Sequence, residues 1–269
     1  MKFHLICIVS ALVPICAVAA DDDLQRQIKS AGIILNYEKG IAVSATIGLK
    51  KVSPTGVALL KDLSTVKGVG FYELAGIDKV IGSLSDNPNL ETLSISDCPL
   101  TDNGFCSLKN CKKLELLYIN RAKISPKAIS HIAANSSLTV LELSGITVTA
   151  AFADELGKMP KLKLLGLDNC TIIDDQAVMK NISKVASITF LSLKNTTCDD
   201  ECMTIAAQMK NLRAIVLGGT LVTEEGVRML RGVKQLELLS IEGTDLSEST
   251  LKSLREANPK LTIKHGVKK

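Results

Sequence analysis

Two histidines, six cysteines and a recurring set of acids are the residues from which this 269-residue chain could build chemistry outside its first twenty positions. His131 lies between Ile129 and Ile132 at helical spacing, and His265 lies in the C-terminal tail. No Ser-His-Asp, Cys-His or His-Glu-x-x-His arrangement can be assembled from these two. The eighteen glycines are scattered, mostly at turns, and form no phosphate-cradling loop. Acids recur at Asp102, Asp174/Asp175, Asp199/Asp200/Glu201, Glu224/Glu225 and Glu248. Stacked in a column, such oxygens could take calcium, or each could stabilise the start of a helix through its dipole. Lysines recur half a period away, at Lys112/Lys113, Lys158/Lys161, Lys184, Lys210, Lys234 and Lys260, where the helices would end. The same dipole calls for cations there, so the pattern favours helix stabilisation. The expectation is therefore no catalytic residue, no metal and no cofactor.

The elements that must position these residues follow from a repeat. The segment from Leu90 to Leu100 reads LxxLxLxxCxL, and the frame restarts at Leu114, Leu138, Leu162, Ile188, Leu212 and Leu236. The spacing is 24 residues throughout, except 26 between Leu162 and Ile188, and weaker copies stand at Val66 and Ala42. Positions 4 and 6, such as Leu165 and Leu167, alternate as in a short strand. Helix-start signals follow at Ser53-Pro54, Thr101-Asp102, Ser125-Pro126, Thr223-Glu224 and Ser247-Glu248. One strand and one helix cannot bury their apolar sides alone, whereas stacked units can. The predicted fold class is α/β: a right-handed β-α solenoid with a curved parallel sheet inside and helices outside.

Asp97-Cys98-Pro99-Leu100-Thr101-Asp102-Asn103-Gly104-Phe105, with Leu108 and Cys111, resembles the cysteine-containing subtype of the leucine-rich-repeat superfamily. Gly219-Thr220-Leu221-Val222-Thr223-Glu224-Glu225-Gly226-Val227 resembles a form common in exported bacterial members. The resemblance implies a non-enzymatic protein-interaction scaffold. The subtype also occurs in F-box substrate adaptors of ubiquitin ligases, but no F-box-like helical segment fits before the first repeat.

The cysteines fit the same frame. Cys98 and Cys170 hold position 9, the corner after the strand, where other units carry Ala122, Ile146, Thr196, Thr220 and Thr244. Cys111 replaces Leu63 and Val233, and Cys198 replaces Val222. Strands lie about 4.8 Å apart, so cysteines several units apart cannot meet. Cys106 with Cys111, and Cys198 with Cys202, are near in sequence without being aimed at each other. All six, including Cys106 and Cys202, are expected to be reduced core residues.

At the N-terminus Met1-Lys2-Phe3-His4, an apolar run, and Ala17-Val18-Ala19-Ala20 before three aspartates read as a signal peptide over 1–20, cleaved after Ala19 or Ala20. Residues 21–41 read as a capping helix (Leu24 to Ala31) and a hairpin strand, 42–260 as nine repeats, and 261–269 as a closing strand and basic tail. The expected location is secreted or periplasmic, in the cell envelope. After signal removal no segment is apolar and long enough to insert stably in a membrane. A net charge of +4 with mixed signs gives no argument for nucleic acid. Asn-x-Ser/Thr motifs begin at Asn135, Asn181 and Asn195.

Positions 3, 5 and 7 of each strand point away from the helices. Leu116, Val140, Leu164 and Phe190 with Tyr118 should form an apolar strip there, rimmed by Asn120, Glu142, Asp168 and Lys194. Apolar patches with polar rims mark protein interfaces. The expected partner is a protein, with a glycan as the other candidate, bound to a monomer. An envelope spacer and an adaptor delivered into another cell are the alternative functions.

Overall fold

The computed structural model describes residues 33–38, 41–48, 66–85 and 87–266. The expected leader, the helix at 24–31, the helix after Ser53-Pro54 and the last lysines of the tail lie outside these residues.

Among the described residues eleven strands form one sheet in simple chain order. They are β1 (Ile33–Glu38), β2 (Ile41–Gly48), β3 (Gly68–Tyr72), β4 (Thr92–Ser96), β5 (Leu116–Asn120), β6 (Val140–Ser144), β8 (Leu164–Gly166), β10 (Phe190–Ser192), β11 (Ala214–Val216), β12 (Leu238–Glu242) and β13 (Thr262–Gly266). Two short strands, β7 (Thr147–Val148) and β9 (Thr171–Ile172), pair separately. β1 and β2 are antiparallel, and every later neighbour is parallel. The parallel register advances by the sequence period, as with Gly68 beside Thr92 and Leu116 beside Val140, so equivalent residues of successive units share one row. The longer step sets Leu164 beside Phe190.

The alternation explains the core. Positions 4 and 6 of every unit from Leu93/Ile95 to Leu239/Ile241 are buried. Above them pack α1 (Ile77–Leu84), α2 (Asp102–Leu108), α3 (Pro126–Ala133), α4 (Ala150–Leu156), α5 (Asp175–Ser183), α6 (Asp200–Ala206), α7 (Glu224–Met229) and α8 (Glu248–Ala257). Phe71, Phe105 and Phe152 are fully buried, and aliphatic side chains make up most of the rest. Each fully buried side chain of this size contributes roughly 1.5–3 kcal/mol.

Each helix from α2 to α8 starts on a side chain that accepts a backbone N–H: Thr101, Ser125, Thr149, Asp174, Asp199, Thr223 or Ser247. α1 starts on Gly76 without such a bond. The long unit takes up its extra residues here, because its cap Asp174 is left-handed (φ 58°) and α5 has nine residues.

The corner between strand and helix has a rule of its own. Position 8 is left-handed in every unit from Glu73 to Gly243, with Asp97, Arg121, Gly145, Asn169, Asn195 and Gly219 between them. The backbone must reverse there to leave the sheet, and only glycine does so without steric cost.

Candidate functional site

Rows 3, 5 and 7 lie on the sheet face opposite the helices. Row 3 places Leu116, Val140, Leu164 and Phe190 side by side, each half-buried, followed by buried Ala214 and Leu238. Row 5 runs Tyr118, Glu142, Gly166, Ser192, Val216, Ser240. Row 7 brings Asn120 beside Ser144 and continues through Asp168, Lys194, Gly218 and Glu242.

A groove of about 360 Å³ opens on this face. Six of the expected residues line it: Tyr118, Glu142, Leu164, Asp168, Phe190 and Lys194. Leu116, Asn120 and Val140 are on the same face but outside the groove. Sequence reasoning missed what makes the depression. Gly166, Ser192 and Ser240 in row 5, with Gly218 in row 7, leave the floor almost bare, and Val216 and Glu242 complete the far end. A methyl added at Gly166 would stand 3.3 Å from Glu142 Cγ. The available signal was the run of small residues at positions 5 and 7.

The electrostatics are acidic. Burial, and then the charge of Asp168, raise the Glu142 carboxyl above its ordinary range. Burial, and then Glu142, push up the Tyr118 phenol. Asp168 also joins two units, since its Oδ1 accepts the Ser192 hydroxyl and, at 3.2 Å, the Lys194 backbone N–H.

The acidic column has a structural use. Asp78 accepts both the backbone N–H (2.9 Å) and the hydroxyl of Thr101, the cap of the next helix. Asp200 does the same for Thr223 at 2.8 and 2.7 Å, and Glu224 for Ser247. Asp102 accepts the Ser125 hydroxyl at 2.8 Å. The acid opening one helix thus latches the cap of the next. The Ser247 and Thr250 hydroxyls, the Ser247 N–H and Arg228 hold the Glu224 carboxyl down at about 2, against an ordinary 4.5. A depressed carboxyl stabilises the fold above its unfolded value, and that contribution disappears as pH falls from 4.5 through about 2. The difference in melting temperature between the native chain and Glu224→Gln is expected to be constant above about pH 5 and to vanish near pH 2 in an acid titration followed by circular dichroism.

Three joints lack the latch, two because Pro126 and Ala150 supply no acid and one because two acids meet. Asp175 meets Asp199, an acid where Thr101, Ser125, Thr223 and Ser247 carry hydroxyls, and carboxylate oxygens of both lie within 4.8 Å of the Cys202 sulfur and of each other. The set is a poor metal centre. Asp199 already accepts two helix N–H groups, at 3.0 and 3.3 Å, and the Cys198 thiol together with burial pushes the Cys202 thiol far up, so it stays protonated. Asp199→Thr keeps a helix cap and supplies the missing donor. It is expected to stabilise the protein by about 1 kcal/mol in urea unfolding, and a loss of stability would refute the latch.

All six described cysteines are free, and all but Cys106 are buried. The Cys198 thiol lies close enough to Cys202 to raise its thiol, a proximity that their spacing had not suggested. Position 9 is also more than a place for a small hydrophobe. The Cys98 thiol donates to Ser96 O (3.2 Å) and the Cys170 thiol to Leu143 O (3.4 Å), as the Thr196 and Thr220 hydroxyls donate to Leu193 O and Leu217 O, both at 2.6 Å. Burial pushes the Cys170 thiol up to about 11.

His131 lies in α3 and His265 in β13, away from the groove. Of the three glycosylation motifs, Asn135 is buried with its amide on Cys111 O (2.6 Å), Asn181 donates to Ala150 O (2.9 Å), and Asn195 is exposed. Among the described residues no helix is long and apolar enough to cross a membrane.

No family model and no curated protein matches the sequence. Among solved structures the chain is similar to internalin C2 from Listeria monocytogenes, with a TM-score of 0.53 and 15% identity over 84% of this chain and 93% of that one. At this identity the likeness concerns the fold.

Proposed function

We propose, from the premise that this chain is a leucine-rich-repeat solenoid, that it is a non-enzymatic scaffold, exported by its N-terminal leader, that docks a protein partner on the sheet face. The groove bounded by Leu164 and Phe190 on one side and Asp168 and Lys194 on the other carries the reading. It is apolar along one wall, polar along the other and bare on its floor, which suits a protruding side chain of a folded or extended partner. The repeats make the face rigid, so little ordering has to occur on binding. The two histidines lie outside the groove, and the buried thiols face the core, so neither an imidazole nor a thiol is offered to a ligand there.

The test is crosslinking from intact producing cells followed by mass spectrometry. A discrete adduct is expected, and Leu164→Glu combined with Phe190→Glu should abolish it. Both side chains are half-buried on the sheet face opposite the helices, so the double variant should still melt cooperatively. An adduct that survives both changes would place docking elsewhere, and a chain that gives no adduct at all would fit a spacer.

A further inference from the structure

We infer that the groove receives a basic side chain, arginine or lysine, from an extended segment of the partner. This rests on the docking reading above and specifies the chemistry of its occupant.

Three carboxylates line the groove, those of Glu142, Asp168 and Glu242, against the single ammonium of Lys194. Among the described residues no hydrogen-bond donor or cation reaches the Glu142 carboxylate, although it is half-buried and faces Asp168. A desolvated carboxylate beside a like charge is costly unless it is paired. Asp168 uses Oδ1 on Ser192 and Lys194, so it is anchored with its charge turned toward the groove.

The shape fits the same occupant. Row 5 forms a trench over Gly166 and Ser192 with Glu142 at its head. Leu164 and Phe190 flank the trench in row 3, where they can cover the methylenes of a long side chain. Tyr118 stands beyond Glu142 in the same row, with its ring available to a guanidinium face. The head group would then form charge-assisted bonds to Glu142 and Asp168, and arginine would be favoured because its planar fork can engage both. A groove of about 360 Å³ is at the lower end for small-molecule pockets, which suits one side chain better than a whole metabolite.

The test selects a phage-displayed random dodecapeptide library on the purified, processed protein and discards clones that still bind the Leu164→Glu/Phe190→Glu variant. The remaining peptides should share an arginine or lysine. Replacing that arginine with citrulline, which keeps shape and removes charge, should weaken binding at least tenfold by calorimetry. Glu142→Gln and Asp168→Asn should each weaken the arginine peptide and leave the citrulline peptide nearly unchanged, with Glu142→Gln preserving the fold because it is isosteric. Groove-dependent peptides without a basic residue, or indifferent to citrulline, would overturn this inference and leave the docking reading standing. If no groove-dependent peptide emerges, the inference of an extended basic segment is overturned, and the crosslinking above decides the docking reading by itself.

Discussion

Gly226→Ala is expected to destabilise the protein by roughly 2–3 kcal/mol, although the change sits inside a helix where alanine is ordinarily favoured by about 1 kcal/mol. The reason is the latch. A methyl at Gly226 would stand 2.3 Å from Asp200 Oδ1 and 3.0 Å from Asp200 Cα, so the carboxylate would have to leave Thr223. Gly104 occupies the equivalent place, 2.5 Å from Asp78 Oδ1 and 2.3 Å from Leu100 Cδ1. Gly82 provides the control, because its methyl would meet only Ser107 Oγ at 3.7 Å. Gly82→Ala should therefore raise the melting temperature, whereas Gly226→Ala lowers it. Adding Asp200→Ala to Gly226→Ala should cost less than the two single changes together, because both break one contact. Additive losses in urea unfolding would show that the glycine is not there for the acid.

Gly219→Ala is expected to cost about 2 kcal/mol, for a different reason. Its φ is +73°, and a methyl there would approach Asn195 Oδ1 to 2.2 Å, displacing the amide that donates to Asn169 at 2.8 Å. Gly243→Ala separates the two causes, since its φ is +96° but the surrounding space is open, so only the conformational cost of about 1 kcal/mol applies. The reverse change, Glu73→Gly at φ +50°, should gain up to about 1 kcal/mol. Equal losses at Gly219 and Gly243 would rule out the steric part.

The solenoid was readable because one period governs both levels. Leu93 and Ile95 point inward by alternation, and the 24-residue step stacks each such pair on the next, so fold class and sheet register follow from counting. The remaining features depend on relations between units that a single repeat does not display. Position 8 carries Glu, Asp, Arg, Asn and Gly, so its shared left-handed backbone leaves no common residue type. The Thr-x-x-Gly pattern of Thr101 and Gly104 reads as a cap followed by a weak helix former, and its use appears only when Asp78 of the preceding unit reaches across. The same holds for the candidate site. Its large side chains, Leu164, Phe190 and Tyr118, could be placed from strand parity. The groove itself is made by what Gly166, Ser192 and Gly218 lack, and the meeting of Glu142 with Asp168 is diagonal, between rows.

The latches are not evenly distributed. They join the units around Asp78, Thr101, Asp102 and Ser125, and again those around Asp200, Thr223, Glu224 and Ser247. Between these blocks Pro126 and Ala150 offer no acid, and Asp175 opposes Asp199. That stretch of the helix-start edge lies behind β6, β8 and β10, the strands beneath the groove. Within that span main chain takes over part of the tie, since β7 pairs with β9 and the Asn181 amide donates to Ala150 O. A tie made by main chain does not depend on which side chains stand there, so the sequence of the edge behind the docking face is freer to vary than the sequence at either end of the arc.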